Sequence, residues 1–255
     1  MSLLKDAYTA AANIFSKQFY FFASLASIVG LVSVFISDKN SSIIALIFFC
    51  LMLLIFTISL LYTIFKVIGL NNSDFESKST FVKYETSDCK NITFEIYKLI
   101  QSKKPILSDY TFNFKWTGSI LPNITSDLQE VTNVMDLQDP TQYDKAILKF
   151  KKPVYFNENQ VIHFKAALND TDKQSETYVS NRITQEVDII HYRIILKYKP
   201  SNYDVNAILE KRKINSLDTK FEKVEEIGFD DITKSYEYHL LKPDLGYIYR
   251  ISWNR

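Results

Sequence analysis

Cysteine, histidine, glycine and proline are all scarce in this chain. Its 255 residues include two cysteines, three histidines, five glycines and six prolines. The two cysteines, Cys50 and Cys89, lie far apart in segments of different character, so we predict neither a disulfide nor a cysteine-based metal site. The scarcity of glycine and proline, with no low-complexity tract, indicates a chain that folds.

Net charge is also nearly absent. The chain has 30 Lys and Arg residues against 29 Asp and Glu residues, which gives a formal net charge of +1. A protein without an overall positive field does not attract polyanions. We therefore predict that it binds neither DNA nor RNA.

Sequence motifs of catalysis are missing as well. The chain contains no glycine-rich phosphate loop, no G-x-S-x-G and no H-E-x-x-H. The three histidines, His163, His191 and His239, fall on separate predicted strands, and none has another ligand type at metal-binding spacing. We interpret them as solvent-facing side chains, and we predict that the protein is not an enzyme and carries no metal or cofactor.

Two long apolar runs stand near the N-terminus. Residues 19–36 and 43–65 contain no charged side chain, and about 20 apolar residues suffice for a helix to cross a hydrocarbon core of about 30 Å. The polar link at 37–42 is short, so the sequence predicts an antiparallel transmembrane hairpin. A buried helical hairpin in a soluble core is the alternative. A cleaved signal peptide does not fit, because the first run is longer than the apolar core of such peptides.

The lysines around these runs predict the orientation. Lys5 and Lys17 precede the first run and Lys66 follows the second, whereas the link between them carries only Lys39. Basic residues favour the cytoplasmic side of a membrane. The sequence therefore predicts a multi-pass protein of the inner membrane, with both termini in the cytoplasm and the lipid bilayer as a partner.

Small residues recur at four-residue spacing in the first run. The pairs are Ala23 with Ser27 and Ala26 with Gly30. Such spacing lets helix backbones approach closely in lipid. We interpret this face as a contact between protomers, which predicts a homo-oligomer, although packing against the second run is an equal alternative.

After Leu70 the hydrophobic pattern changes to a period of two. The alternation is clear in six segments, 110–116, 145–151, 162–166, 190–199, 236–240 and 247–253, and weaker in three, 79–86, 91–99 and 219–227. This pattern is typical of antiparallel sheets with one buried face. The sequence therefore predicts a membrane anchor over residues 1–70 and an all-β domain over 71–255, either a β-sandwich or a β-barrel. Residues 127–143 are the least strand-like, and we predict a loop or a short helix there.

A stripe of basic side chains follows one predicted strand. His191, Arg193 and Lys197 share a face of that strand, and Lys149 and Lys165 lie on similar faces of other strands. If these strands are neighbours, the sheet presents a positive patch suited to a phosphate-bearing ligand. The alternative is a solvated outer face on which acidic residues from other strands lie between the basic ones.

The order of these parts resembles the two-transmembrane, β-strand-rich effectors of bacterial anti-phage systems that signal with cyclic oligonucleotides (CBASS and related pathways). The resemblance rests on the apolar runs at 19–36 and 43–65, followed by a β-rich region that extends to Arg255. No residue motif is matched, so it carries over no binding residue. The β-rich region is also longer than the compact barrel of that family.

The resemblance implies a mechanism of sensing followed by membrane damage. A cyclic oligonucleotide would bind the β domain, the protomers would cluster, and the apolar segments would disrupt the inner membrane. The alternative hypothesis is a membrane-tethered adaptor whose β domain binds a protein partner, with no nucleotide ligand.

Overall fold

The computed structural model describes residues 73–137, 142–216 and 220–255, together with scattered helical positions between Tyr20 and Tyr62. The chain divides into two compact units, Met1–Asn72 and Ser73–Arg255. The described positions of the first unit are helical, and the regular structure of the second consists of strands.

The predicted transmembrane hairpin is contradicted. Among the described residues, no helix has both the length and the apolar character that crossing a membrane requires. The apolar runs at 19–36 and 43–65 therefore do not correspond to a described membrane-spanning helix. Most of residues 19–36, and part of 43–65, lie outside the described residues.

The localisation derived from that hairpin is corrected with it. A multi-pass inner-membrane protein with cytoplasmic termini is not supported, because no described helix spans a membrane. Of the four small residues assigned to helix packing, Ser27 is a described, exposed helical position. Ala23, Ala26 and Gly30 lie outside the described residues.

The described residues of the second unit form thirteen strands. In chain order these are β1 (Phe75–Thr86), β2 (Asn91–Ser102), β3 (Ile106–Phe114), β4 (Asn123–Thr125), β5 (Glu130–Met135), β6 (Asp144–Tyr155), β7 (Asn159–Asn169), β8 (Tyr178–Arg182), β9 (Ile189–Leu196), β10 (Ala207–Lys213), β11 (Glu222–Ile227), β12 (Ser235–Leu241) and β13 (Tyr247–Ser252). Each segment with clear or weak alternation overlaps one of them. The prediction for residues 127–143 was wrong, because β5 lies there, and alternation carried no signal for β4, β8 and β10.

The strands form three sheets. The largest has the order β12-β9-β1-β2-β7-β4, a second has β11-β10-β13-β8, and a third has β3-β6-β5. Neighbouring strands are antiparallel throughout, except that β1 runs parallel to β9. The β-rich prediction is therefore confirmed as packed open sheets, with a parallel pair that the alternation alone did not predict.

One face of the six-stranded sheet, here called the inner face, forms the core. Val82, Ile96 and Phe164 lie side by side in register on β1, β2 and β7, and all three are buried. The three-stranded sheet covers one part of this face, where Phe112 stacks on Phe164 with ring centroids 4.1 Å apart. The four-stranded sheet covers another part, where Trp253, just after β13, packs against a ring from β1. Both smaller sheets therefore pack on the same face of the large one.

The C-terminal residue is tied into this unit by a buried carboxylate. Asp170, which is 1% exposed, accepts hydrogen bonds from Arg255 Nη2 at 2.8 Å, from Ser175 Oγ at 2.5 Å and from the Ser175 backbone N–H at 2.9 Å. The arginine also donates to the Ser175 carbonyl oxygen at 2.6 Å. Loss of the guanidinium would leave a buried charge with fewer partners, which is costly.

We expect Arg255→Ala to lower the free energy of unfolding by about 1.5–3 kcal/mol, the usual worth of a hydrogen bond to a charged group. Lys104→Ala is the matched control, since it removes a 2.7 Å ion pair with Asp74 in which both side chains are about half exposed; such pairs contribute about 1 kcal/mol or less. Urea unfolding of the two variants measures the difference. Equal losses in both would show that the buried site adds nothing beyond a surface pair.

Candidate functional site

A cleft lies between the inner face of the large sheet and the two smaller sheets. Its volume is about 570 Å³, and its lining comes from β1, β2 and β7 on one side and from β3, β8 and nearby residues on the other. Small-molecule sites fall in the range of roughly 300–1,000 Å³. The cleft exists because two separate sheets, rather than one continuous sheet, cover the inner face.

Aromatic side chains form much of the wall of this inter-sheet cleft. Six of them are Phe75, Phe94, Tyr110, Phe112, Trp116 and Phe164. Three cationic residues also line it, namely Lys98, Lys115 and Arg182, whereas no Asp or Glu is among the described lining residues. Aromatic walls with positively charged side chains, and without acidic ones in the described lining, favour a ligand that is flat and negatively charged.

Lys98 is the most unusual of these residues because it projects from the inner face. It lies in register between Thr80 of β1 and Ile162 of β7, both of which are buried core positions. Its ammonium group donates a hydrogen bond to the Tyr110 hydroxyl at 3.2 Å and lies 5.2 Å from the ring centroid of Phe75. No carboxylate among the described residues forms an ion pair with it. Lys98 is therefore a cation in an aromatic setting without a counter-charge.

Burial has a direct consequence for this amine. Desolvation lowers the pKa of Lys98 from 10.5 to about 8, because the charged form loses its water without gaining an anion. A negatively charged ligand beside the amine would supply that counter-charge. The same burial raises the pKa of Tyr110, so the phenol stays protonated and can accept from Lys98 while donating elsewhere.

Two further polar groups in the cleft have no hydrogen-bond partner among the described residues. They are Ser77 Oγ and Trp116 Nε1. A shift of register at Lys78 lets Ser77 face inward along with Thr80. The indole N–H only donates and the hydroxyl can donate, so a ligand with acceptor atoms satisfies both.

A glycine leaves the space that the Trp116 ring occupies. A Cβ atom added to Gly118 would lie 2.6 Å from atoms of the Trp116 indole. A larger residue at position 118 would therefore displace the ring from its place in the wall of the cleft.

A second depression of about 480 Å³ lies near the C-terminus. Lys173, Glu176, Arg250 and Arg255 are among its lining residues, so charges of both signs face it. Arg250 pairs with Glu210, and Arg255 pairs with Asp170. Because those charges already have partners, the inter-sheet cleft is the better candidate site.

The predicted basic stripe lies on the opposite, outer face of the large sheet. His191 and Arg193 belong to β9, Lys197 follows its end, and Lys165 lies on β7 of the same sheet. Lys149 lies on β6 of the three-stranded sheet. The structure therefore brings four of the five residues onto one sheet and places the fifth on another.

Each residue of the stripe has an acidic neighbour. Lys197 pairs with Glu85 at 2.5 Å, and His191 Nε2 lies 2.7 Å from Glu237. In the strand register, Glu237 lies opposite Arg193, and Glu95 lies opposite Lys165. Asp109 and Glu130 lie opposite Lys149 on its two neighbouring strands. Acidic side chains thus lie between the basic ones of the stripe. Phosphate binding by the stripe stays a prediction.

Two groups of histidine and carboxylate side chains on the described residues could hold a metal ion. One contains His191, Glu237 and His239, and the other contains Glu95, Asp127 and His163. Contrary to the interpretation of all three histidines as solvent-facing, His163 is fully buried. Sequence reasoning missed both groups because each is completed only by the register of distant strands, although Glu237 and His239, two residues apart on β12, were a local signal.

The pKa of Lys98 predicts how the stability of the protein depends on pH. Between pH 8 and 10.5 the unfolded state binds more protons at this residue than the folded state, so stability rises with pH in that window. We expect Lys98→Met to be more stable than the wild type at pH 7, and the advantage to shrink as the pH approaches 10.5. Thermal unfolding at pH 7 and pH 10 measures this, with the exposed Lys152→Met as the control. A stability difference that is the same at both pH values would contradict it.

Comparisons with known proteins do not assign this chain to a family. No family model matches it, and no curated protein matches its sequence. Similar solved structures include an M1 zinc metallopeptidase from Deinococcus radiodurans, with a TM-score of 0.38 and 6% identity over 71% of this chain and 43% of that one. Yeast LTA4 hydrolase aligns with a TM-score of 0.39 and 10% identity, over 71% of this chain and 30% of that one.

Baculovirus P35 is also similar, with a TM-score of 0.32 and 10% identity over 70% of this chain and 97% of that one. The chain spans less than half the length of the two peptidase-like structures it matches. At such low TM-scores and identities, these similarities carry no conclusion about activity. That the protein is not an enzyme therefore stays a prediction.

Proposed function

We propose that the Ser73–Arg255 unit is a binding module that takes a small anionic molecule with an aromatic ring, such as a nucleotide, into the inter-sheet cleft. One observation carries this proposal. Lys98 is a desolvated cation on the inner face, in contact with aromatic rings and without an acidic partner among the described residues. Desolvating a cation is costly, and a bound anion offsets that cost.

The anionic part of the ligand is recognised by charge and by donors. Lys98 supplies the central positive charge, and the exposed Arg182 also lines the cleft. Ser77 and Trp116 add donors that have no partner among the described residues. Phosphate and carboxylate groups carry several acceptor atoms, so they satisfy this set better than a neutral ligand does.

The ring of the ligand is recognised by stacking. Phe112 and Trp116 line the cleft together with other aromatic side chains. Stacking of a base on an aromatic side chain contributes about 1–3 kcal/mol and tolerates any base. Stacking therefore favours any ligand with an aromatic ring. It does not by itself distinguish one base from another.

This proposal keeps the phosphate-bearing class of ligand expected from the basic stripe but moves the site to the other face of the sheet. Cyclic oligonucleotides, which the resemblance to anti-phage effectors implies, belong among the candidate ligands.

The test is calorimetric titration of the full chain with AMP, ATP, cyclic AMP and cyclic dinucleotides. Adenosine is the matched neutral probe, since it has the ring of AMP without the phosphate. We expect at least one nucleotide to bind and adenosine to bind more weakly. Lys98→Met should weaken the nucleotide by about ten- to a hundredfold, because a hydrogen bond to a charged group contributes about 1.5–3 kcal/mol.

Arg193→Ala is the control variant that separates the two faces. Arg193 projects from the outer face, so the cleft proposal predicts unchanged affinity, whereas the stripe predicts a loss. Quenching of Trp116 fluorescence gives an independent readout, because Trp253 is 5% exposed and lies outside the described lining of the cleft. Binding that survives Lys98→Met but not Arg193→Ala, or no binding of any probe, would contradict the proposal.

A further inference from the structure

The three histidines of the chain all lie in one row across the outer face of the six-stranded sheet. The register places His239 of β12 opposite His191 of β9, and His191 beside Phe81 of β1. The row continues through Tyr97 of β2 to His163 of β7. Five rings therefore follow one another across five strands, although the histidines are far apart in sequence.

The two histidines at one end of this row form the more open group. The rings of His191 and His239 stack with centroids 4.1 Å apart and an interplanar angle of 13°. Glu237, two residues before His239 and on the same face, has its Oε1 2.7 Å from His191 Nε2. One ligand atom from each of the three residues lies within 4.8 Å of the other two.

These residues are accessible to an ion from solution. The side chains of His191 and Glu237 are 27% and 42% exposed, and His239 is exposed on β12, the edge strand of its sheet. Phe81 packs on the other side of the His191 ring at 4.8 Å. That contact holds one imidazole in place while the exposed His239 and Glu237 are free to adjust.

The histidine at the other end of the row has both ring nitrogens occupied. His163 Nδ1 accepts from the backbone N–H of Asp127 at 2.8 Å, which leaves the proton on Nε2, and Nε2 lies 3.1 Å from Glu95 Oε1. Because Nδ1 accepts a hydrogen bond and Nε2 carries the proton, the ring has no free lone pair to offer an ion, and its full burial keeps ions in solution away. The second group is therefore a structural network and not a competing site.

We propose that His191, Glu237 and His239 form a binding site for a divalent transition-metal ion such as Zn²⁺ or Ni²⁺. Two imidazoles and one carboxylate suit these ions, and three protein ligands leave a coordination position open to water. Zinc–nitrogen bonds are about 2.0–2.1 Å long, so the rings must turn out of their parallel stack until both nitrogen lone pairs point at the ion, and the exposed His239 is the ring that can turn. Glu237 then exchanges its hydrogen bond to His191 for coordination.

The neighbouring charges set the expected strength of the site. Arg193 lies directly across from Glu237 in the register, and its positive charge opposes a cation there. Hard ions such as Mg²⁺ prefer all-oxygen ligands. The site should therefore select Zn²⁺ and Ni²⁺ over Mg²⁺, with moderate affinity.

The test is calorimetric titration of the full chain, prepared without a histidine tag, with ZnCl₂, NiCl₂ and MgCl₂. We expect binding of one Zn²⁺ or Ni²⁺ per chain and no binding of Mg²⁺. His239→Ala and Glu237→Gln change exposed side chains, so they should leave folding intact. Each should weaken Zn²⁺ at least about tenfold, since loss of even an outer-shell partner costs roughly 10–100-fold.

Asp127→Asn is the matched control, because it removes the exposed carboxylate of the second group. Its Zn²⁺ affinity should equal that of the wild type. Circular dichroism of each variant confirms that the sheet is retained. Absence of Zn²⁺ binding to the wild type, equal affinity in all three variants, or a loss confined to Asp127→Asn would each overturn the proposal.

Discussion

The inner face of the six-stranded sheet is the constraint on which the rest of this unit depends. It is apolar across its strands and must be covered, and two separate sheets cover it from the same side. Phe112 on Phe164 and Trp253 on Tyr84 mark the two areas of contact. Two sheets that meet over one face leave a gap where neither packs fully, and that gap is the aromatic cleft.

Lys98 gives the cleft its chemical character. An apolar residue at this position would close the inner face, whereas a lysine introduces a desolvated charge that nothing in the described lining neutralises. Folding retains this unfavourable group only because the rest of the core offsets its cost. Polar groups that are costly to the fold and unpartnered within it are characteristic of binding sites, where the ligand completes their contacts.

Local patterns in the sequence predicted the strands, but not the sites that the strands build. Alternation identified β9 and β12, yet only their register places His239 against His191, and that register depends on contacts between distant segments. The inward position of Lys98 was predictable from the sequence. Lys98 is two residues from both Ile96 and Ile100, so on a strand its side chain projects to the same, buried side of β2. For the apolar runs near the N-terminus, hydropathy predicted two spans that no described helix forms.

The ionisation of Lys98 tests the central claim most directly. Nuclear magnetic resonance of the protein with labelled lysine side chains, assigned by comparison with Lys98→Met, measures the pKa of this amine during a pH titration. The account predicts a pKa of about 8, which rises when a bound anion supplies the missing counter-charge. A pKa near the ordinary 10.5 of lysine, unchanged by every anion tested, would show that the amine is solvated and that the cleft is not a charged binding site.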